Sequence, residues 1–137
     1  IVYYCWSRYI YDWKLKMSTR CMVHFCLDGD VDARVYVHGD GYPNGEHGML
    51  ARLNRFFDRV IFETPNDTRF DDPEYLAARF IVWYSQIDGA DMPYEPHLDF
   101  TGIGVAADDH DDIEYIYTVQ CGRADDDTLP QVTVREV

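Results

Sequence analysis

The chain has 137 residues, 47% hydrophobic and 15% aromatic, which sets it among globular proteins, excludes the disordered class and leaves length for one core. Twelve basic residues stand against 25 acidic ones, a net charge of −13, so direct binding to naked nucleic acid is not expected. No apolar run reaches the roughly 20 residues that cross a bilayer, and the start lacks the pattern of a signal peptide, so a cytoplasmic location without a membrane partner is expected.

Residues 1–16, IVYYCWSRYIYDWKLK, hold both lysines of the chain, Lys14 and Lys16, one acid and a dense set of aromatics. Met17 then opens a segment that reads like a natural start, so 1–16 is taken as an upstream extension, the alternative being a genuine amphipathic arm that binds a partner or closes the core, and 17–137 as a single domain. From Ser18 onward nine arginines face 24 acidic residues, mostly Asp, a net charge of −15 without a single lysine. In molar salt the Debye length falls to about 3 Å and that self-repulsion is screened, while short carboxylates keep the molecule hydrated. The composition therefore points to a salt-loving microbe or its virus.

Cys21–Leu27 and Ala33–His38 alternate as strands around the turn-rich Asp28–Asp32, which predicts a hairpin. Asp28-x-Asp30-x-Asp32 begins like a calcium loop, but Ala33 stands where the sharp turn needs Gly and Gly39 where a bidentate Glu is required. Cys5, Cys21, Cys26 and Cys121 form no CxxC pair and are read as free, mostly buried thiols. The odd spacing of Cys21 and Cys26 puts them on opposite faces of a strand.

The loop 39–48 holds four glycines and a proline, after which Met49, Leu50, Leu53, Phe56, Phe57, Val60 and Ile61 recur at helical spacing. A second helix is predicted from the cap Asp72, the first-turn Pro73 and the dipole-complementing Glu74, with Leu76, Ala77, Phe80, Ile81 and Tyr84 as its inner stripe. After a loop with Pro93 and Pro96, Gly102–Ala107 and Asp112–Cys121 read as a second hairpin around Asp108–Asp111. In the longer run Ile113, Tyr115, Tyr117 and Val119 share one face. A short strand at Val132–Val134 closes the order ββ-αα-βββ. The expected fold is α+β, an antiparallel sheet of four to five strands with two helices on one face.

Chemistry concentrates in Tyr36-Val37-His38-Gly39-Asp40-Gly41-Tyr42-Pro43-Asn44-Gly45, which leaves a strand for a helix through a constrained loop. His38 and Asp40 have three readings: metal ligand and orienter, acid/base pair, or polar groups that hold the loop. Gly41, Gly45 and Gly48 can bring backbone amides to an anion near the helix start, although their spacing matches neither nucleotide fingerprint. No nucleophile or zinc-protease pattern is present. The acidic block 108–112 is a turn first, and a metal site only where other ligands converge.

The pairing of HxDGYPxG with a later HxDIEYxY resembles a family of small uncharacterised proteins of phages, plasmids and microbial genomes, whose members typically carry RHxDGYPxG and HGDIEYxY. The resemblance spans about Cys21 to Cys121. It matches at His38, Asp40, Gly41, Tyr42 and Pro43, and again at His110, Asp112, Ile113, Glu114, Tyr115 and Tyr117. Val37 replaces the family's arginine, Gly39 a common aromatic and Asp111 its glycine, so no anion-binding arginine carries over. The resemblance implies a mobile-element setting and no particular reaction.

With no complete catalytic set, the leading reading is a binding or interaction module rather than an enzyme, its partner a protein, a second copy or a small polar ligand. The binding candidates are His38, Asp40, Gly41, Tyr42, Pro43, Gly45, His110, Asp112, Glu114 and Tyr115; no cofactor is indicated. The alternatives are a metal-assisted hydrolase joining His38 and Asp40 to His110 or Asp112, and a nucleic-acid mimic built on ordered carboxylates.

Overall fold

A computed structural model describes residues 19–86, 102–122 and 128–137. Within them the chain forms β1 (Cys21–Leu27), β2 (Asp30–Val37), α1 (Met49–Glu63), α2 (Pro73–Ser85), β3 (Ile103–Ala106), β4 (Tyr115–Gln120) and β5 (Gln131–Glu136). This is an α+β protein in the expected order ββ-αα-βββ. Residues 1–16, read as an extension, with Cys5, the segment with Pro93 and Pro96, read as a loop, and most of the tract after Gly122 lie outside the described residues.

The first hairpin turns on Asp28 and Gly29, whose φ angles are +52° and +86°. Two positive φ values match the twist of the flanking strands, and Asp-Gly is a favoured pair for that turn. Strand β2 therefore starts at Asp30, ahead of the expected Ala33, and Asp32 is the extra residue where the register shifts between Phe25 and Cys26.

Helix α1 buries Met49, Leu53, Phe56, Phe57 and Val60 of the stripe its spacing predicts, with Leu50 at the margin and Ile61 exposed. Helix α2 begins where its start signals stand: the Asp72 side chain accepts from the Tyr75 amide at 3.2 Å and Pro73 fills the first turn. Its Leu76, Ala77 and Phe80 are buried, with Ile81 and Tyr84 at the margin. The Phe80 ring lies 5.8 Å from that of Phe25 in β1 and 5.3 Å from that of Phe56 in α1, joining the two layers. Such ring pairs contribute about 0.5–1.5 kcal/mol beyond the area they bury.

The strand order is β3-β2-β1-β4-β5. The antiparallel sheet foreseen from the sequence holds for β1·β2, β2·β3 and β4·β5, but β1·β4 is parallel. The second hairpin does not form: β3 pairs with β2 at one edge, while β4 lies between β1 and β5. Strands β3 and β4 run the same way with two strands between them. Residues 107–114 must therefore cross three strand spacings, about 14 Å at roughly 4.8 Å each.

This strap crosses the face opposite the helices. The main core of Cys21, Val23, Phe25, Val35, Val37, Tyr117 and Val119 packs against both helices, and a second cluster of Met22, Ile113 and Ile116 fills the other face. Strand β4 starts only at Tyr115, so Ile113 belongs to the strap and packs on the face opposite Tyr117 and Val119, contrary to the alternation read from the sequence. The acidic stretch fails as a hairpin turn because its side chains have partners on the sheet, and Met22 and Ile116 need a cover. Among the described residues no helix is long and apolar enough to cross a membrane.

Candidate functional site

The loop after β2 is built around a close backbone approach. A Cβ on Gly41 would stand 2.8 Å from the Cys21 Cβ and 2.9 Å from the Thr19 oxygen. The Gly41 amide donates to Thr19 O at 2.9 Å, and its carbonyl accepts from the buried Tyr117 hydroxyl at 2.7 Å. The left-handed residue is its neighbour Asp40, with φ +55°. The carbonyls of Tyr42 and Pro43 accept from the Met49 and Leu50 amides at 2.8 and 3.4 Å, satisfying the first donors of α1 in place of a side-chain cap. The Gly48 amide donates to Gly45 O at 3.1 Å. The Gly41 amide is thus engaged by Thr19 and the Gly48 amide by Gly45, so neither points to an anion.

Asp40 turns to the helix side, where its carboxylate lies 3.6 Å from the Arg52 guanidinium. Arg52 is 2% exposed and also donates to the Tyr84 hydroxyl at 2.9 Å. Burial holds the Asp40 carboxyl above its ordinary range although Arg52 and His47 pull it down, and burial raises the Tyr84 phenol to about 12. Tyr42 is half-buried beside this pair, its phenol raised by burial and then by Asp40.

The other half of the predicted site gathers around Tyr36, on the sheet face beneath the strap. The His110 ring stacks on Tyr36 with centres 4.0 Å apart, and the Tyr36 hydroxyl donates to Asp112 at 3.2 Å and lies 3.5 Å from His38 Nδ1. Arg20 closes the group with a 3.0 Å contact to Asp112. Burial first, then the hydrogen bond and charge of Asp112, push the Tyr36 phenol up against the pull of Arg20, so it remains a protonated donor at neutral pH. One step along the strap, Asp109 accepts from the buried His24 at 2.5 Å and lies 3.7 Å from Arg34, whose guanidinium also donates to Ala107 O at 3.3 Å. These contacts pin the strap at its middle and present His38, His110 and Asp112 to solvent, with Arg20 half-buried beside them.

The structure therefore divides the residues that the sequence singled out. His38, His110 and Asp112 converge on Tyr36, whereas Asp40, Gly41, Tyr42, Pro43 and Gly45 build the loop and the helix start. Glu114 is exposed and acts through its main chain, donating to Arg20 O at 2.8 Å and accepting from Val137 at 2.9 Å. Tyr115 is half-buried against the main core. Arg20, His24 and Arg52 escaped the sequence reading, and Tyr36 stood at the head of the segment it singled out without being counted among the binding candidates. For Tyr36 the signal was its place one strand period before His38, which puts both side chains on one face.

Among the described residues no group of three or more His, Cys, Asp or Glu side chains is arranged to hold a metal ion. Cys21, Cys26 and Cys121 are buried and free. Burial raises all three thiols, that of Cys121 to about 12, which leaves them poor nucleophiles at neutral pH. A groove of about 280 Å³ lies between the helices, lined in part by Phe56, Val60, Tyr75, Arg79, Val82 and Trp83. None of the residues predicted for a site lines it. Comparison of the chain with protein-family models, with curated proteins and with solved structures finds no match.

Proposed function

We propose that this chain is a small binding module whose contact surface is the Tyr36 cluster beneath the strap, and that its ligand is a small polar molecule. The observation that carries this reading is the convergence of His38, His110, Asp112 and Arg20 on one tyrosine, from β2, the strap and the residue before β1. Two exposed imidazoles can donate or accept, Asp112 accepts, Arg20 offers a cation, and the stacked rings offer a flat apolar edge. That set suits hydrogen-bonded recognition of a ligand with both a donor and an acceptor. Of the residues named for the hydrolase alternative, His38, His110 and Asp112 meet at Tyr36 while Asp40 is engaged with Arg52 on the helix side, which favours the binding reading.

The setting proposed is the cytoplasm of a salt-loving microbe or a virus or mobile element within it. The acidic body, lysine-free from Ser18 onward, and the resemblance of the two motifs support it, as do the three free cysteines among the described residues, which suit a reducing compartment. Calorimetry in molar potassium chloride with inorganic phosphate, glycine and adenosine as probes tests the binding reading. Saturable heat from at least one probe, weakened tenfold or more (about 1.4 kcal/mol) in Tyr36→Ala, is expected. Failure of all three probes, or binding that Tyr36→Ala leaves intact, overturns it.

A further inference from the structure

Strand β5 ends the sheet, and all six of its residues pair with β4 without a bulge. Its alternation fixes where its main chain points. Val137 donates to Glu114 O, so the hydrogen-bonded pairs with β4 fall at Val137, Arg135, Thr133 and Gln131. The N–H and C=O groups of Val132, Val134 and Glu136 consequently face outward, and among the described residues no strand lies beyond them. Open edges are ordinarily blunted by proline, lysine, a bulge or short length. Strand β5 holds no lysine, proline or bulge, its charged side chains Arg135 and Glu136 stand together at one end and Pro130 lies before the other, while Leu129, Val134 and Val137 around it are 51%, 37% and 65% exposed. The opposite edge, β3, is only four residues long.

We propose that β5 is the contact surface for a second copy of this chain, joined antiparallel about a two-fold axis at Val134 into one continuous sheet. An axis through Val134 uses every outward group: Val134 bonds its own copy, and Val132 bonds Glu136 on either side. The same register places Val134 against Val134, Thr133 against Arg135 and Gln131 against Val137. No like charges stand directly opposite, which a strand pair requires. A second copy suits this edge because the two-fold register keeps the charges of Arg135 and Glu136 away from their own counterparts, setting them against Thr133 and Val132. The opposing force is the charge of −13 on each copy, which molar salt screens. Association is therefore salt-dependent, and the Tyr36 cluster on the strap side of the sheet stays independent of it.

Sedimentation equilibrium of the full chain in molar potassium chloride tests this, over protein concentrations up to about 1 mM. The apparent mass is expected to rise from 16.1 kDa towards twice that value, and to rise less in dilute buffer. Val134→Pro removes the central outward N–H without touching the β4 ladder and is expected to stay monomeric with an unchanged circular dichroism spectrum. Val134→Glu, which sets two carboxylates together at the axis, provides a second reading if the proline variant misfolds, and should weaken association several-fold. Val105→Pro makes the equivalent change at β3, where the ladder bond of His38 to Gly102 leaves Val105 facing outward, and should dimerise like the parent. A parent that remains monomeric, association untouched by both Val134 variants, or association lost only in Val105→Pro overturns the proposal.

Discussion

Gly41 shows how one residue can be legible for the wrong reason. Its sequence context suggests a special backbone angle, yet the left-handed residue is Asp40, and Gly41 is required because the chain passes against Cys21 and Thr19. Gly41→Ala should cost about 1–3 kcal/mol by overpacking, whereas the exposed His38→Ala should stay within about 0.5 kcal/mol; urea unfolding measures both. Arg52 was invisible in the sequence because an arginine within an amphipathic helix reads as solvent-facing. Arg52→Ala breaks its contacts with Asp40 and Tyr84, and a loss of about 3 kcal/mol is expected in the same assay. Burial raises the Asp40 carboxyl, so the folded state binds that proton more tightly than the unfolded chain, whose value is near 3.8. Its contribution to stability is fully present below that value and is lost as pH rises through the folded one. Parallel melts should therefore show the parent gaining on Asp40→Asn as pH falls from 7 towards 4; a constant difference would contradict the raised carboxyl.

Among the elements, those with local start chemistry were readable and those fixed by distant pairing were not. Asp72 and Pro73 mark the start of α2 within one turn, and Asp28-Gly29 marks the first hairpin, because capping and turn geometry depend on neighbours in sequence. The strap read as a hairpin turn because five polar residues between two strands have that composition. What sends it across the sheet is the pairing of its side chains with His24, Arg34, Tyr36 and Met22, none of them local. The same crossing assembles the candidate site, so the convergence of His38 with His110 was legible only as a condition on the fold. Asp109 is the strap's central anchor, and Asp109→Ala leaves the buried His24 without this acceptor. A loss of about 1.5–3 kcal/mol is expected, with faster amide exchange confined to residues 107–114. Exchange that stays slow in the variant would show that Met22, Ile113 and Ile116 alone hold the strap.

At the scale of the whole molecule, the acidic body and the site have separable consequences. Screening of its carboxylates should raise the melting temperature markedly between dilute buffer and molar potassium chloride; an unchanged or lower value would contradict the salt-adapted reading. The two faces of the sheet divide the remaining work, since the helix side carries the core and the Asp40–Arg52 pair while the strap side carries Tyr36 and its partners. The most direct measurement is amide chemical-shift mapping of the full chain in molar salt, titrated with whichever of phosphate, glycine and adenosine binds. Saturable shifts centred on Arg20, Tyr36, His38 and residues 110–112 are predicted. Shifts centred instead on Arg59, Arg79 and Trp83 in the groove between the helices would place the binding surface elsewhere and contradict the account.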